Sequence, residues 1–89
     1  MDLEALLTHY FDTAELDAVS ADAFARGQEK LSIDFGVERE PGRRFALWTL
    51  MDAIGIAPLP AEAFKKPEEA MLKRAAEDYL SAAWKLERD

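Results

Sequence analysis

The apolar residues of this chain recur mostly at intervals of three and four positions, which is the spacing of one face of an α-helix. The first stripe runs through residues 3–11 and contains Leu3, Leu6, Leu7, Tyr10 and Phe11. Asp2 stands directly before this stripe, where an acidic side chain can cap the free N–H groups of a helix. The pattern therefore predicts an amphipathic helix at the start of the chain.

A second helix is predicted to begin after Ser20, because serine is a favoured N-cap residue. The inner edge of this helix contains Phe24, Gln28, Leu31 and Phe35. Gly27 lies within it and lowers its intrinsic stability by roughly 1 kcal/mol relative to alanine.

Residues 31–38 allow two interpretations. Apolar residues alternate there with polar or small ones, as they do in a β-strand. In the other interpretation the second helix continues to Phe35 and ends at Gly36. We favour a helix that gives way to an extended arm, because a lone strand has no evident pairing partner. Such an arm could pair across a dimer.

The remaining pattern predicts a turn, a central helix and a last helix. Pro41 and Gly42 are typical of the centre of a turn. Residues 45–54 are apolar on almost every side, which is typical of a buried helix, and Gly55 is a candidate to end it. After a short turn over residues 61–66, which Pro60 and Pro67 bracket, Pro67 suits the start of a last helix that runs to about residue 87. The inner stripe of that helix contains Leu72, Ala75, Ala76, Tyr79, Ala83 and Leu86.

These elements predict an all-α fold, a single domain over residues 1–89 built as a small compact bundle of about four helices plus a short turn. The chain also matches itself weakly when residues 7–31 are placed on residues 47–71. The order helix, loop, helix then occurs twice, so two helix-loop-helix units are an alternative description. Alanine-rich sequences match themselves easily, and a true duplication stays open.

Both halves share one spacing: an aromatic or apolar residue, an aspartate, an apolar residue and then a phenylalanine. These residues are Phe11, Asp12, Val19, Ser20 and Phe24 in the first half, and Met51, Asp52, Leu59 and Phe64 in the second. The spacing resembles a pair of EF-hands over residues 3–71, and this resemblance implies paired helix-loop-helix units.

Asp12, Ser20 and Asp52 stand at ligand positions of an EF-hand, but most of the other calcium ligands are missing. The corresponding positions hold Ala14, Leu16 and Ala23 in the first loop, and Ile54, Ile56, Pro60 and Ala63 in the second. Calcium requires six to eight oxygen ligands, which methyl groups cannot supply. We therefore expect metal-free loops, with degenerate metal binding as an alternative function.

The formal net charge is -7, and the acidic residues are unevenly placed. Residues 1–25 contain Asp2, Glu4, Asp12, Glu15, Asp17 and Asp22 and no lysine or arginine. Phosphate backbones are bound by clustered positive charge, so we expect no nucleic acid partner. A partner protein with a basic surface is the physically easier choice. The alternative is that these acids only keep a small protein soluble.

The composition also limits the compartment and the chemistry. No cysteine is present, which excludes disulfides, thiolate metal sites and thiol nucleophiles. The first residues are acidic where a signal peptide would be basic, and no apolar run approaches the ~20 residues of a membrane span. We therefore expect a cytoplasmic protein without membrane contact.

A catalytic site is not indicated. His9 is the only histidine, and the four glycines are isolated rather than arranged as a phosphate-binding loop. We expect no enzyme, no cofactor and no metal, although a small enzyme that uses His9 is a further alternative.

The remaining candidate residues suggest partner binding. Trp84 falls at the edge of the last apolar stripe, where it either anchors a partner or closes the core. Arg39, Arg43 and Arg44 flank the predicted turn and either meet an anionic surface or pair with neighbouring glutamates. The leading interpretation is a non-enzymatic protein-protein interaction module or small regulatory adaptor, monomeric or weakly dimeric.

Overall fold

The computed structural model describes residues 3–88 of the chain, with side chains up to residue 82. The described residues form α-helices α1 (Leu3–Phe11), α2 (Ala21–Val37), α3 (Pro41–Ala53), α4 (Pro60–Ala63) and α5 (Ala70–Arg88). Two short 3₁₀ turns, Leu16–Ala18 and Pro67–Glu69, precede α2 and α5. No β-strand occurs in this part of the chain, so the all-α prediction is confirmed.

The chain divides into two compact units, residues 1–57 and residues 58–89. In the first unit α1, α2 and α3 pack against one another. The side chains buried in this unit are Leu6, Phe11, Leu31, Phe35, Leu47, Trp48, Leu50 and Met51. Trp48 is wholly buried, as expected for a central helix that is apolar on most sides.

The second unit consists of α4, the second 3₁₀ turn and α5, and α5 packs against both of the others. Its buried residues include Phe64, Ala63 and Ala76, whereas Ala75 and Tyr79 of the predicted inner stripe are exposed. Asp2 and the side chains of Ala83 and Leu86 lie outside the described residues.

The extended arm predicted for residues 31–38 is wrong, since α2 continues to Val37. Two tertiary contacts explain this result. Phe35 is buried, and its carbonyl accepts a hydrogen bond of 2.6 Å from the Arg44 guanidinium. Asp34, one residue earlier, accepts a bond from the hydroxyl of Tyr10. Packing of this last turn therefore overrides the alternating sequence pattern.

The turn predicted at Pro41 and Gly42 is also wrong, because α3 begins there. Pro41 is the first helical residue, a position where its missing N–H costs nothing. The Glu40 carboxylate caps the helix by accepting hydrogen bonds from the N–H groups of Gly42 and Arg43, at 3.1 and 2.6 Å. The proline and glycine thus mark a helix start rather than the middle of a turn.

The predicted end of the central helix is confirmed. Gly55 has a φ of 81°, in the left-handed region that favours glycine. Its N–H donates to the Asp52 carbonyl, and the N–H of Ile56 donates to the Met51 carbonyl. These two bonds form a Schellman motif, which satisfies carbonyls at the end of α3.

Candidate functional site

The first unit contains two surface depressions with different chemistry. We call the first the polar groove; it is lined by Leu6, His9, Tyr10, Asp34, Val37, Glu38, Arg43 and Leu47. We call the second the acidic cleft; it is lined by Leu16, Asp17, Val19, Ala21, Phe24 and residues 52–55. Their volumes are about 530 and 680 Å³, respectively.

The polar groove brings together side chains that already bond one another. The Tyr10 hydroxyl donates to Asp34 at 2.7 Å, and the Arg43 guanidinium lies 3.1 Å from Glu38. The other oxygen of Glu38 accepts bonds from the backbone N–H groups of Arg39 and Glu40, both at 3.2 Å. A polar ligand would have to replace these bonds, so its net gain would be small.

The Tyr10 hydroxyl does not readily release its proton in this groove. Its burial, followed by the hydrogen bond to Asp34, raises the pKa of the hydroxyl above its ordinary value of about 10. The tyrosinate form is therefore disfavoured. The ring contacts His9 edge-on at 4.8 Å and lies 5.9 Å from the ammonium of Lys30. The hydroxyl is thus placed to hold α1 against α2 rather than to release a proton.

The acidic cleft is built from the ends of helices. A 3₁₀ turn presents Leu16, and the N–H of Val19 returns to the Leu16 carbonyl at 3.2 Å. The Ser20 hydroxyl then caps α2 by accepting from the N–H of Ala23 at 3.2 Å. The Schellman motif described above shapes the opposite wall at the end of α3. The segments that line the cleft are therefore held by backbone hydrogen bonds and by the Ser20 cap.

The floor of the acidic cleft is apolar. Leu16, Val19, Phe24 and Ile54 are all half-buried, so each keeps part of its apolar surface in contact with solvent. The Phe24 ring stacks on the Phe11 ring with their centroids 5.2 Å apart. This stacking fixes the orientation of the Phe24 ring within the floor.

The charge of the acidic cleft comes from Asp17 and Asp52. Among the described residues, no lysine, arginine or histidine lines it. The end of α3, with its partial negative charge, and the start of α2, with its partial positive charge, both lie at the cleft. The two partial charges offset each other. The carboxylates therefore decide its negative sign.

The candidate partner-binding arginines serve different roles. Arg39 is exposed. The Arg43 side chain is 63% exposed, yet it pairs with Glu38. Pairing with a neighbouring glutamate is one of the two alternatives that the sequence left open. Arg44 is half-buried, with its guanidinium 4.2 Å from the Phe35 ring centroid and bonded to the Phe35 carbonyl. Arg44 thus joins α3 to α2. The side chain of Trp84 lies outside the described residues.

The loop after α1 begins at Asp12. Asp12, the residue that would open an EF-hand loop, has a φ of 62° and ends α1 by donating its N–H to the Thr8 carbonyl at 2.8 Å. Within the described residues, no group of three or more histidine, aspartate or glutamate side chains could hold a metal ion.

The sequence pattern did not single out the acidic cleft. A signal was nevertheless present: Leu16, Val19 and Ile54 are apolar residues in or beside the segments that align with EF-hand loops, where calcium ligands were sought. Leu16 and Val19 lie outside the predicted helices, and with Ile54 they line the cleft.

None of the described helices combines the length and the apolar composition needed to span a bilayer. No protein-family model, curated protein sequence or solved structure matches the chain.

Proposed function

We propose that this chain is a non-enzymatic protein-interaction module that binds a partner protein with a basic surface. One observation supports this proposal above the others. The carboxylates of Asp12, Glu15, Asp17 and Asp22 are exposed, and none forms an ion pair with another described residue. The first unit thus presents negative charge that its own lysines and arginines do not neutralise.

Unpaired surface charge of one sign acts mainly on association. It attracts a complementary partner over several ångströms, speeds the encounter and weakens as salt screens it. Affinity must then come from apolar contact, because exposed ion pairs contribute little each. The first unit offers both components side by side in the acidic cleft, since Asp17 and Asp52 line it together with Leu16, Val19, Phe24 and Ile54.

The acidic cleft is a better candidate for this contact than the polar groove. It is broad and open to solvent, as suits a side chain inserted by a protein, and its carboxylates are not engaged with other described residues. The polar groove has its charged groups already paired. Trp84 and Arg39 remain further candidates for contact with the same partner.

The experiment compares three forms of the chain in affinity capture, with captured proteins identified and then purified for calorimetry. The neutralised form carries Asp12→Asn, Glu15→Gln, Asp17→Asn and Asp22→Asn. The matched control carries Glu29→Gln, Glu62→Gln, Glu77→Gln and Asp78→Asn, which remove the same charge from other exposed positions.

We expect a basic protein that binds the wild type and the control more tightly than the neutralised form, with affinity falling as salt rises. Equal loss in both variants would mean that net charge alone causes the retention. If no protein binds the wild type more tightly than the neutralised form, the proposed function is wrong.

A further inference from the structure

The acidic cleft has the features of a specific docking site rather than of a generally acidic surface. Four half-buried apolar side chains form its floor, and Asp17 and Asp52 stand among them. Asp17 comes from the 3₁₀ turn before α2 and Asp52 from the last turn of α3. An occupant would therefore meet apolar atoms beneath it and carboxylates from two separate elements.

From this arrangement we infer that the acidic cleft binds a short basic amphipathic segment of a partner protein, with apolar side chains on the floor and lysine or arginine at Asp17 and Asp52. This inference rests on the proposed function and adds the place and the kind of segment. The choice of occupant follows from charge complementarity, because the described lining has two carboxylates and no basic side chain.

The shape of the cleft favours a protein segment over a small molecule. Small-molecule sites usually bury most of the ligand surface, whereas this cleft is broadly open. A side chain anchored on a larger partner needs only one face covered, since the rest of the partner excludes water around it. A second copy of the chain is a less suitable occupant, because each copy is acidic overall and the cleft would repel it.

The floor is also set before binding. Phe24 is held by stacking on Phe11, and Gly55, with the Schellman bonds, fixes the chain that carries Ile54. Residues already held in place lose less conformational entropy when a partner binds.

The test uses a synthetic lysine–leucine peptide whose leucines recur at helical spacing. One control peptide has the same composition but no apolar face, and another has glutamate in place of lysine. The full chain, isotopically labelled, is titrated with each peptide while backbone amide shifts and the dissociation constant are measured. Sedimentation of the unliganded chain reports self-association.

Asp17→Asn with Asp52→Asn removes the two cleft carboxylates at nearly constant shape. Glu29→Gln with Asp78→Asn removes two exposed carboxylates elsewhere and serves as the matched control. Melting by circular dichroism shows that each variant is folded before it is titrated.

We expect the amphipathic lysine peptide to shift the amides of Leu16, Val19, Phe24 and Ile54. Its affinity should fall about tenfold in the Asp17/Asp52 variant and less than about twofold in the control variant. The peptide without an apolar face should bind more weakly, and the glutamate peptide should not bind.

Three results would overturn the inference. Shifts spread over other acidic residues, or equal losses in the two variants, would place the contact elsewhere; the proposed function would then still stand on its own capture experiment. Absence of binding by the lysine peptide would exclude the cleft as a site for basic segments. A dimer whose interface shifts the same amides would assign the cleft to a second copy of the chain.

Discussion

Gly27 shows how one residue sets the distance between α1 and α2. A Cβ at this position would clash with the Phe11 ring and lie 2.8 Å from the Tyr10 carbonyl oxygen. The glycine is buried in the middle of α2, where helix propensity alone would favour alanine. The close approach of Phe11 therefore explains a residue that weakens the isolated helix, and the same ring supports Phe24 in the acidic cleft.

Gly27→Ala should destabilise the protein by about 1–3 kcal/mol, because overpacking outweighs the roughly 1 kcal/mol gained in helix propensity. Urea unfolding measures the change. Gly36→Ala is the matched control. Gly36 lies in the same helix, and among the described residues a Cβ at this position would meet no packed neighbour within 4 Å. The control should be neutral or stabilising, and a similar loss in both variants would refute the packing argument.

The bond between Tyr10 and Asp34 makes a second prediction at this scale. Tyr10→Phe should reduce the free energy of unfolding by about 1 kcal/mol at neutral pH, since Asp34 loses a donor. The native state raises the pKa of Tyr10 above its ordinary value. The contribution of the protonated hydroxyl to the free energy of unfolding is therefore complete below about pH 10 and is lost as the pH rises through the native pKa.

The difference in unfolding free energy between wild type and Tyr10→Phe should therefore be constant near neutrality and shrink as the pH rises from about 10 through the native pKa of the tyrosine. Urea unfolding of both proteins over a pH series measures it. The phenylalanine variant is itself the control for other groups that titrate at alkaline pH. A difference that begins to shrink below about pH 10 would contradict the direction of the shift.

At the scale of elements, the N-cap of α2 links the fold to the acidic cleft. Ser20→Ala removes the acceptor for the Ala23 N–H and should cost about 1 kcal/mol. Ser32→Ala, an exposed position within the same helix, should be neutral or slightly stabilising because alanine has the higher helix propensity. Thermal unfolding of the two variants measures both effects. Equal melting temperatures would show that the cap is energetically unimportant.

The helices could be predicted where the local signal and the packing agree. Ser20 begins α2 and Gly55 ends α3 as predicted, since capping depends on residues adjacent in sequence. The end of α2 could not be predicted in the same way. Its last turn is held by Arg44 and Tyr10, residues that become neighbours only when α3 and α1 pack.

The start of α3 and the acidic cleft were missed for related reasons. Pro41 and Gly42 suit a turn, and only the capping carboxylate of Glu40 turns them into a helix start. The cleft combines residues 16–24 with residues 52–55, which no pattern within either segment could bring together. The arginines near Pro41 were predicted as a group, but their roles diverge once Arg44 packs on Phe35.

At the scale of the whole molecule, the two units differ in how they could sustain a fold. In the first unit, three large side chains are less than 2% exposed: Trp48, Leu31 and Leu50. Among the described residues of the second unit, one large side chain, Phe64, is buried to this degree. We therefore expect its order to depend on the rest of the chain.

This dependence predicts one cooperative unfolding transition, as for a single domain. In a Trp84→Phe variant, Trp48 is the sole tryptophan and its emission reports the first unit. Circular dichroism reports helix in both units, including the 19 residues of α5. The two signals should follow the same urea dependence. If helical signal is lost at lower urea concentration while Trp48 stays buried, residues 58–89 unfold independently and the chain contains two domains. The acidic cleft would then belong to a first unit that is stable without the second.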